Sequence, residues 1–390
     1  MISVEQALEQ LFALVEPLES ENVALASANG RTLAQPVFAK RNQPPFAASA
    51  MDGYAIYKSD YQIGRTLQVI GESAAGARFE YKMLEGEAVR IFTGAPVPTG
   101  ADWIVIQEDV DAIGRQITIR DTRESKSYIR PAGTDFETGE TLDAPQVLTP
   151  QLIALLASMN IANVNVTRKP EVAIISTGSE LVMPGETPGD DQIIASNTFG
   201  LKAMLEANGA NVRVLPIAHD TAPALRTAFS LAQGADLILT IGGASVGDHD
   251  LVAGVTEELG MERAFYKVAM RPGKPLMAGK LGKATMIGLP GNPVSAMVCG
   301  QIFVLPMLRA LLGLGKSPAP RHSAKLANDM PSNGPRAHYM RAHVFDGVII
   351  SFERQDSALL SVLAKANALL LRPPHEDAKL AGDTVTFVPI

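Results

Sequence analysis

Between residues 170 and 315 the chain alternates near-continuous apolar runs with helical stretches. Val172-Ala173-Ile174-Ile175, Val212-Arg213-Val214-Leu215 and Leu237-Ile238-Leu239-Thr240-Ile241 read as strands. Helices follow them, one near Asn197 that stops at Gly209 and one across 222–233. Apolar strands separated by helices imply a parallel sheet covered on both faces. Ligands in such folds bind outside the carboxyl ends of the strands, so the loops at those ends are the ones to read.

Four loops qualify: Thr177-Gly178-Ser179-Glu180, Gly242-Gly243-Ala244-Ser245-Val246-Gly247-Asp248-His249-Asp250, Arg271-Pro272-Gly273-Lys274-Pro275 and Pro290-Gly291-Asn292-Pro293. Each is expected to follow a strand at one edge of the sheet. Glycine lets backbone amides approach an anion, and a following helix N-terminus favours negative charge. Neither GxxxxGK[ST] nor GxGxxG occurs, so the ligand is phosphate-like without being ATP held in the P-loop manner. Lys267, Arg271 and Lys274 form a basic run beside these loops. They suit either a solvated strand end or, with Lys274 fixed on the stiff Pro-Gly-Lys-Pro turn, a phosphate contact. Glu180, Asp248 and Asp250 put carboxylates at the same edge. Carboxylates beside an anion need a cation between them, and Mg²⁺ bridges carboxylates and phosphates. Asp248 and Asp250 equally suit a helix N-cap. Gly243-Ala244-Ser245-Val246-Gly247 matches the nucleophile-elbow spacing, but no oxyanion-loop motif accompanies it.

The rest of the chain differs in character. Residues 3–16 form an amphipathic helix with Ser3 and Gln6 placed as a capping box, ended by Pro17. Short apolar runs with Gly- and Pro-rich turns fill roughly 40–140, among them 67–70, 88–92, 103–106 and 116–119, a β-rich segment. A second helix spans 149–159, and the two helices are expected to pack together around the insertion. Ser317-Pro318-Ala319-Pro320 is a linker, and 321–390 is a small β domain with strands paired around Asp346-Gly347. The organisation expected is therefore 1–40 with 140–169 as a helical linker domain and 41–139 as an inserted β-rich domain. Residues 170–316 form the αβα domain and 317–390 the C-terminal β domain.

Composition limits the function. At 390 residues, with 46% hydrophobic and 19% charged residues, the chain buries several cores. Lys and Arg number 34 against 41 Asp and Glu, a net charge of -7. That balance argues against a nucleic-acid binder and requires a local basic cluster for any anionic substrate. The single Cys299 excludes a disulfide framework and fits a reducing cytoplasm. No formal charge occurs between Lys283 and Arg309, but Pro290, Gly291, Pro293 and Pro306 punctuate the stretch, so it reads as a strand, a turn and a buried helix with no membrane span.

Taken in order, Ser49-Ala50-Met51-Asp52-Gly53-Tyr54-Ala55, the runs 92–98, 176–181, 242–247 and 271–275, and Leu289-Pro290-Gly291-Asn292-Pro293-Val294 resemble the MoeA-type molybdopterin molybdenumtransferases, which are similar to the E domain of gephyrin. The likeness covers essentially the whole chain. It departs where Ala47 follows Phe46, a place usually held by Asp, and where Thr134 precedes Asp135.

The resemblance implies a multidomain α/β protein built on an αβα parallel-sheet domain of the molybdopterin-binding type. It also implies a homodimer whose site is completed across the two chains, acting in the cytoplasm at the last step of molybdenum cofactor synthesis. Such an enzyme takes adenylylated molybdopterin and molybdate and, with Mg²⁺, inserts molybdenum into the dithiolene and releases AMP. Carried over by motif, Asp52, Glu180, Asp250, Lys267 and Lys274 would be catalytic. Glu180, Asp250 and Asp220 would hold the metal. Thr93, Asp135, Ser179, Gly242, Gly243, Ser245, Gly247, Arg271, Gly273, Pro290, Gly291, Asn292 and Pro293 would bind substrate, with Pro290 and Pro293 shaping the pterin loop. An adenylyltransferase and molybdoenzyme maturation factors are the partners implied. The alternatives are a molybdopterin adenylyltransferase, which resembles residues 170–315 alone, and a gephyrin-like scaffold without catalysis.

Overall fold

A computed structural model describes residues 1–243 and 251–390. The chain divides into two compact units. The larger holds Met1–Glu21, Gly30–Ala34 and Val166–Ile390, and the smaller holds Asn22–Asn29 and Gln35–Asn165.

The larger unit is built on a six-stranded sheet. Its strands, in spatial order, are Asn211–Val214, Glu171–Ser176, Leu237–Ile241, Ala284–Leu289, Met277–Leu281 and Glu262–Phe265. The first four are parallel. The last two are added antiparallel, so the sheet is mixed where the sequence implied a wholly parallel one. The cause is a tight hairpin at Gly282-Lys283, with Gly282 at φ 59. That turn reverses the chain in two residues, too short for a helical crossover.

Alternate side chains of each apolar strand face opposite cores. Val172, Ile174, Leu237, Leu239, Ile287 and Leu289 join one. Ala173, Ile175, Ile238 and Met286 join the other, under the helices Ala222–Leu231 and Leu251–Glu258. Continuous apolarity in sequence is thus two buried faces in space.

The helix Val4–Ala13 has the expected capping box, with Ser3 accepting from the Gln6 N–H and Gln6 closing back on Ser3. Val4, Ala7, Leu8 and Leu11 pack into the first core, with Phe303, Met307 and Leu308. The Lys280 ammonium also binds the Leu14 carbonyl at 2.9 Å, near the helix end. The uncharged stretch behaves as read: a strand Ala284–Leu289, a turn, and the helical run Pro293–Leu311. That run is the one helix among the described residues long and apolar enough to cross a membrane, and most of it is buried in the protein core.

Residues 322–390 close into a five-stranded barrel. The strand Ala337–Phe345 pairs with both Val348–Ser351 and Ala368–Arg372, and His322–Leu326 and Thr384–Pro389 complete the circle. Asp346 and Gly347, at φ 48 and 77, make the hairpin turn that the sequence signalled. Ala342, Ile349, Leu370 and Val385 fill the interior. Tyr339, Leu369, Leu371 and Val388 point outward into the core of the αβα sheet.

The smaller unit carries a six-stranded sheet in the order Trp103–Ile106, Gly53–Ile56, Glu87–Ile91, Thr66–Ser73, Gln116–Ile119, Val110–Ile113. Its two faces bury separate clusters, Ile56, Leu67, Trp103 and Ile117 on one, and Ala55, Val89, Ile91 and Ile104 on the other. Its helix Pro150–Ser158 is capped by Thr149, whose hydroxyl accepts from the Leu152 N–H.

Leu11 is fully buried. If the first helix is a core element, Leu11→Ala should destabilise the protein by about 2–5 kcal/mol, read from the urea midpoint. A shift under about 0.5 kcal/mol would mean that the helix is only a peripheral strap.

Candidate active site

Three strands of the large sheet end side by side, and their loops are tied together through the backbone. Thr177 N donates to Ile241 O at 2.9 Å, Gly242 N to Leu289 O at 3.2 Å, and Gly178 N to Ala218 O at 3.1 Å. The glycines are required by this crowding. A Cβ on Gly242, at φ 86, would lie 2.6 Å from Thr177 O, and one on Gly243, at φ 67, would lie 2.4 Å from a Val252 methyl. A Cβ on Gly291 would come within 3.5 Å of the Gly242 Cα. Above this seam opens a cavity of about 790 Å³. Thr177, Gly178, Glu180, Asp220, Gly242, Gly243, Pro275, Pro290, Gly291, Asn292 and Pro293 line it.

The fourth loop reaches the same edge from the other direction. Residues 271–275 precede the antiparallel strand Met277–Leu281 instead of following a parallel one, and Pro275 lines the cavity. Gly273 packs so closely that a Cβ there would meet the Cys299 Sγ at 2.5 Å. Lys274 and Lys267 are half-buried neighbours behind Pro275: Val268 N donates to Lys274 O, and the Lys267 ammonium lies 5.0 Å from the Tyr266 ring centroid. Lys267, Arg271, Gly273 and Lys274 stand outside the cavity lining itself.

Two carboxylates face the cavity. The Glu180 carboxylate folds back over Gly178, where an added Cβ would lie 2.6 Å from its oxygen. Asp220 exchanges hydrogen bonds with Ser179: the Ser179 N–H donates to Asp220 Oδ2 at 3.3 Å, and the Asp220 N–H donates to Ser179 Oγ at 3.2 Å. No cluster of three metal-ligating side chains occurs among the described residues. Two hard oxygen donors beside a phosphate-sized space still fit Mg²⁺, which is held by one or two carboxylates plus substrate phosphates and water. Ser245, Gly247 and Asp250 lie outside the described residues.

The sequence reading missed three groups. Asn197, at the start of the helix Ser196–Ala207, donates its side-chain amide to Gly291 O at 2.7 Å and so ties that helix to the Pro-Gly-Asn-Pro loop. The N-terminus of that helix has no side-chain cap and its first residues line the cavity. Arg341 is fully buried, and its Nε and Nη1 have no partner, while Nη2 donates to Asp356 O at 2.9 Å. The next residues join this to the cavity, since Ser357 O accepts from Val294 N and Ala358 is on the cavity wall. His338 is also buried, its Nε2 without a partner. A His and an Arg buried on opposite faces of one alternating strand give no sequence signal; the Ser-Asn-Thr at 196–198 could have been read as a helix start facing a ligand.

In the smaller unit, Asp52 and Thr93 come together. Asp52 Oδ1 accepts from the Thr93 N–H at 2.7 Å and from its hydroxyl at 2.8 Å. These bonds hold the Asp52 carboxyl below its ordinary range. The turn beneath is fixed by the buried Ser49 and by Gly53, whose Cβ would collide with Val105 O at 2.0 Å. Asp135 sits on a different turn, its N–H donating to Gln43 O at 2.9 Å.

A doubly covered α/β sheet with a glycine-seamed cavity at its strand ends, joined to a β-barrel, is a ligand-binding enzyme architecture. Residues 2–160 match the MoeA N-terminal region (domain I and II), 173–310 a probable molybdopterin binding domain, and 323–390 the MoeA C-terminal region (domain IV). The chain is 35% identical to a molybdopterin molybdenumtransferase of Haemophilus influenzae, covering 100% of this chain and 98% of that protein. It is 35% identical to one of Nostoc sp., covering 99% and 93%. A solved molybdopterin biosynthesis MoeA protein from Pyrococcus horikoshii superposes at a TM-score of 0.85 with 26% identity and full coverage of both chains. The chain belongs to the MoeA family.

Burial and, after it, the guanidiniums of Arg271, Arg341, Arg372 and Arg336 lower the His338 pKa to about 4. An unfolded histidine titrates near ~6.5. The unfolded chain therefore takes up the proton first, so this residue's contribution to stability is lost as pH falls from ~6.5 and levels off below about 4. That loss is about 3 kcal/mol. His338→Gln should flatten this part of the pH dependence, read as the wild-type minus variant urea midpoint between pH 7 and 4.5. An unchanged slope would contradict it.

Proposed function

We propose that the chain is a molybdopterin molybdenumtransferase that acts in molybdenum cofactor biosynthesis, taking adenylylated molybdopterin and molybdate and releasing AMP. The observation that carries this is the strand-end cavity, walled by Glu180, Asp220 and three glycine-rich loops, in a chain that matches molybdenumtransferases over its whole length. The adenylyltransferase alternative accounts for residues 173–310 and leaves the rest without a task.

The residues divide the work. The uncapped helix at Ser196 and the amide of Gly243 favour phosphate oxygens, the Gly242 amide being spent on Leu289 O. Asn197 holds the Gly291 turn, and the Pro290 and Pro293 rings stiffen the loop that receives the pterin. Glu180 and Asp220 would hold Mg²⁺, which when bound neutralises phosphate charge. Arg341, buried with its Nε and Nη1 unpartnered, and Arg271, whose charge acts on it, would take the oxyanion, molybdate. No ion pair to Arg271 or Arg341 exists among the described residues, so an anion has no internal competitor there. Lys274 and Lys267 add positive charge behind Pro275. We also propose a homodimer working in the cytoplasm, with Asp52 and Thr93 contributing from the smaller unit, and the adenylyltransferase as the supplier of substrate.

Glu180→Gln keeps the shape and removes the charge. AMP release from adenylylated molybdopterin should fall at least ~10-fold and lose its response to Mg²⁺, with the melting temperature unchanged. Full turnover with normal metal dependence would overturn the assignment. Lys274→Ala should weaken adenylylated molybdopterin by about 10- to 150-fold, the equivalent of losing one charge-assisted hydrogen bond; equal affinities by calorimetry would make Lys274 a solvated charge. Light scattering should give twice the chain mass, and a monomer at working concentration would contradict the dimer.

A further inference from the structure

The oxyanion reading of Arg341, on which this inference rests, leaves His338 to be explained. Its side chain is buried, at 9% residue exposure, and Nε2 has no partner. In register it stands beside Arg271 on the neighbouring parallel strand and opposite Arg372 on the antiparallel one. Arg341 lies three residues on, on the opposite face of the same strand, and Arg336 precedes the strand. The acids nearby are committed elsewhere: Glu376 binds the Nε of Arg372, and Asp356 lies toward Arg341. Four guanidiniums therefore act on one imidazole through space, and no carboxylate is paired with it among the described residues.

Such a place penalises a proton on the ring for as long as the surrounding charge is uncompensated. We propose that His338 is the proton-linked residue of the oxyanion site: an oxyanion held by Arg271 and Arg341 supplies the negative charge that lets the imidazole take up a proton, so that anion binding and protonation strengthen one another. Linkage makes the effect reciprocal. The free site starts from a histidine pKa of about 4. If the bound anion restores the ring to an ordinary value of ~6.5, affinity at pH 5.5 exceeds that at pH 7.5 by about tenfold. A histidine buried for packing alone would leave anion affinity without this term.

The test is calorimetric titration of the full chain with molybdate, and with sulfate as an oxyanion that does not itself protonate in this range. Each is run at pH 5.5 and 7.5 in two buffers of different ionisation enthalpy. Wild type should take up a large fraction of one proton per anion at pH 5.5 and almost none at pH 7.5, for both anions. His338→Gln should abolish the uptake and flatten the pH dependence, and Arg341→Gln should lose the binding. Wild-type binding without proton uptake, or uptake that survives in His338→Gln, overturns the role of His338 while Arg341→Gln still reports the oxyanion site. Undiminished binding by Arg341→Gln, or none by wild type, overturns the oxyanion reading and this inference with it. The wild-type proton count stands even if a variant fails to fold.

Discussion

The close approach of backbone at the strand ends governs the rest of this structure. Thr177, Gly242 and Gly291 come together without side chains between them, and a single methyl on Gly242 would lie 2.6 Å from the Thr177 carbonyl. That contact lets the parallel strands end level, and level ends put Thr177 to Glu180, Gly242 with Gly243, and Pro290 to Pro293 round one cavity, which Pro275 reaches from the antiparallel side. A β-carbon there would drive the loops apart. The two buried faces of the sheet then fix the seam from below, because the apolar residues of the central strands are committed to one core or the other.

Charge supplies what the seam leaves open. The protein carries a net charge of -7, so its field does not gather anions. Positive potential is instead local: the Gly243 amide, the uncapped helix at Ser196, Lys274 next to Pro275, and the buried Arg341. A fully buried guanidinium with unpaired N–H groups is costly unless something satisfies it. The fold carries that cost where the barrel meets the loop 352–358 and the cavity wall. Glu180 and Asp220 stand on the other side, so acidic and basic groups are separated around one space.

Much of this was legible in the sequence, and the reasons differ by element. The apolar strands at 172–175 and 237–241, the capped first helix and the Asp346-Gly347 hairpin carry strong local signals. The strand-end loops followed from the architecture, and Glu180, Gly242 and Pro290 do line one cavity. The antiparallel pair at 277–289 was hidden because its turn, Gly282-Lys283, is short and unremarkable in a chain rich in glycine. What covers the first helix was not legible, because periodicity gives the apolar face and not its partner. Arg341 and His338 were invisible for a deeper reason: their meaning depends on partners 15 to 70 residues away, Asp356 and Arg271 among them.

The central claim is that molybdopterin chemistry happens on the strand-end seam of the large sheet. Amide hydrogen exchange with and without adenylylated molybdopterin tests it most directly. The account predicts slowed exchange at Gly178 to Leu181, at Ser196 to Thr198 and at Gly291 and Asn292. Protection confined to the opposite edge of the sheet, around Ser230 to Ala235, would contradict it.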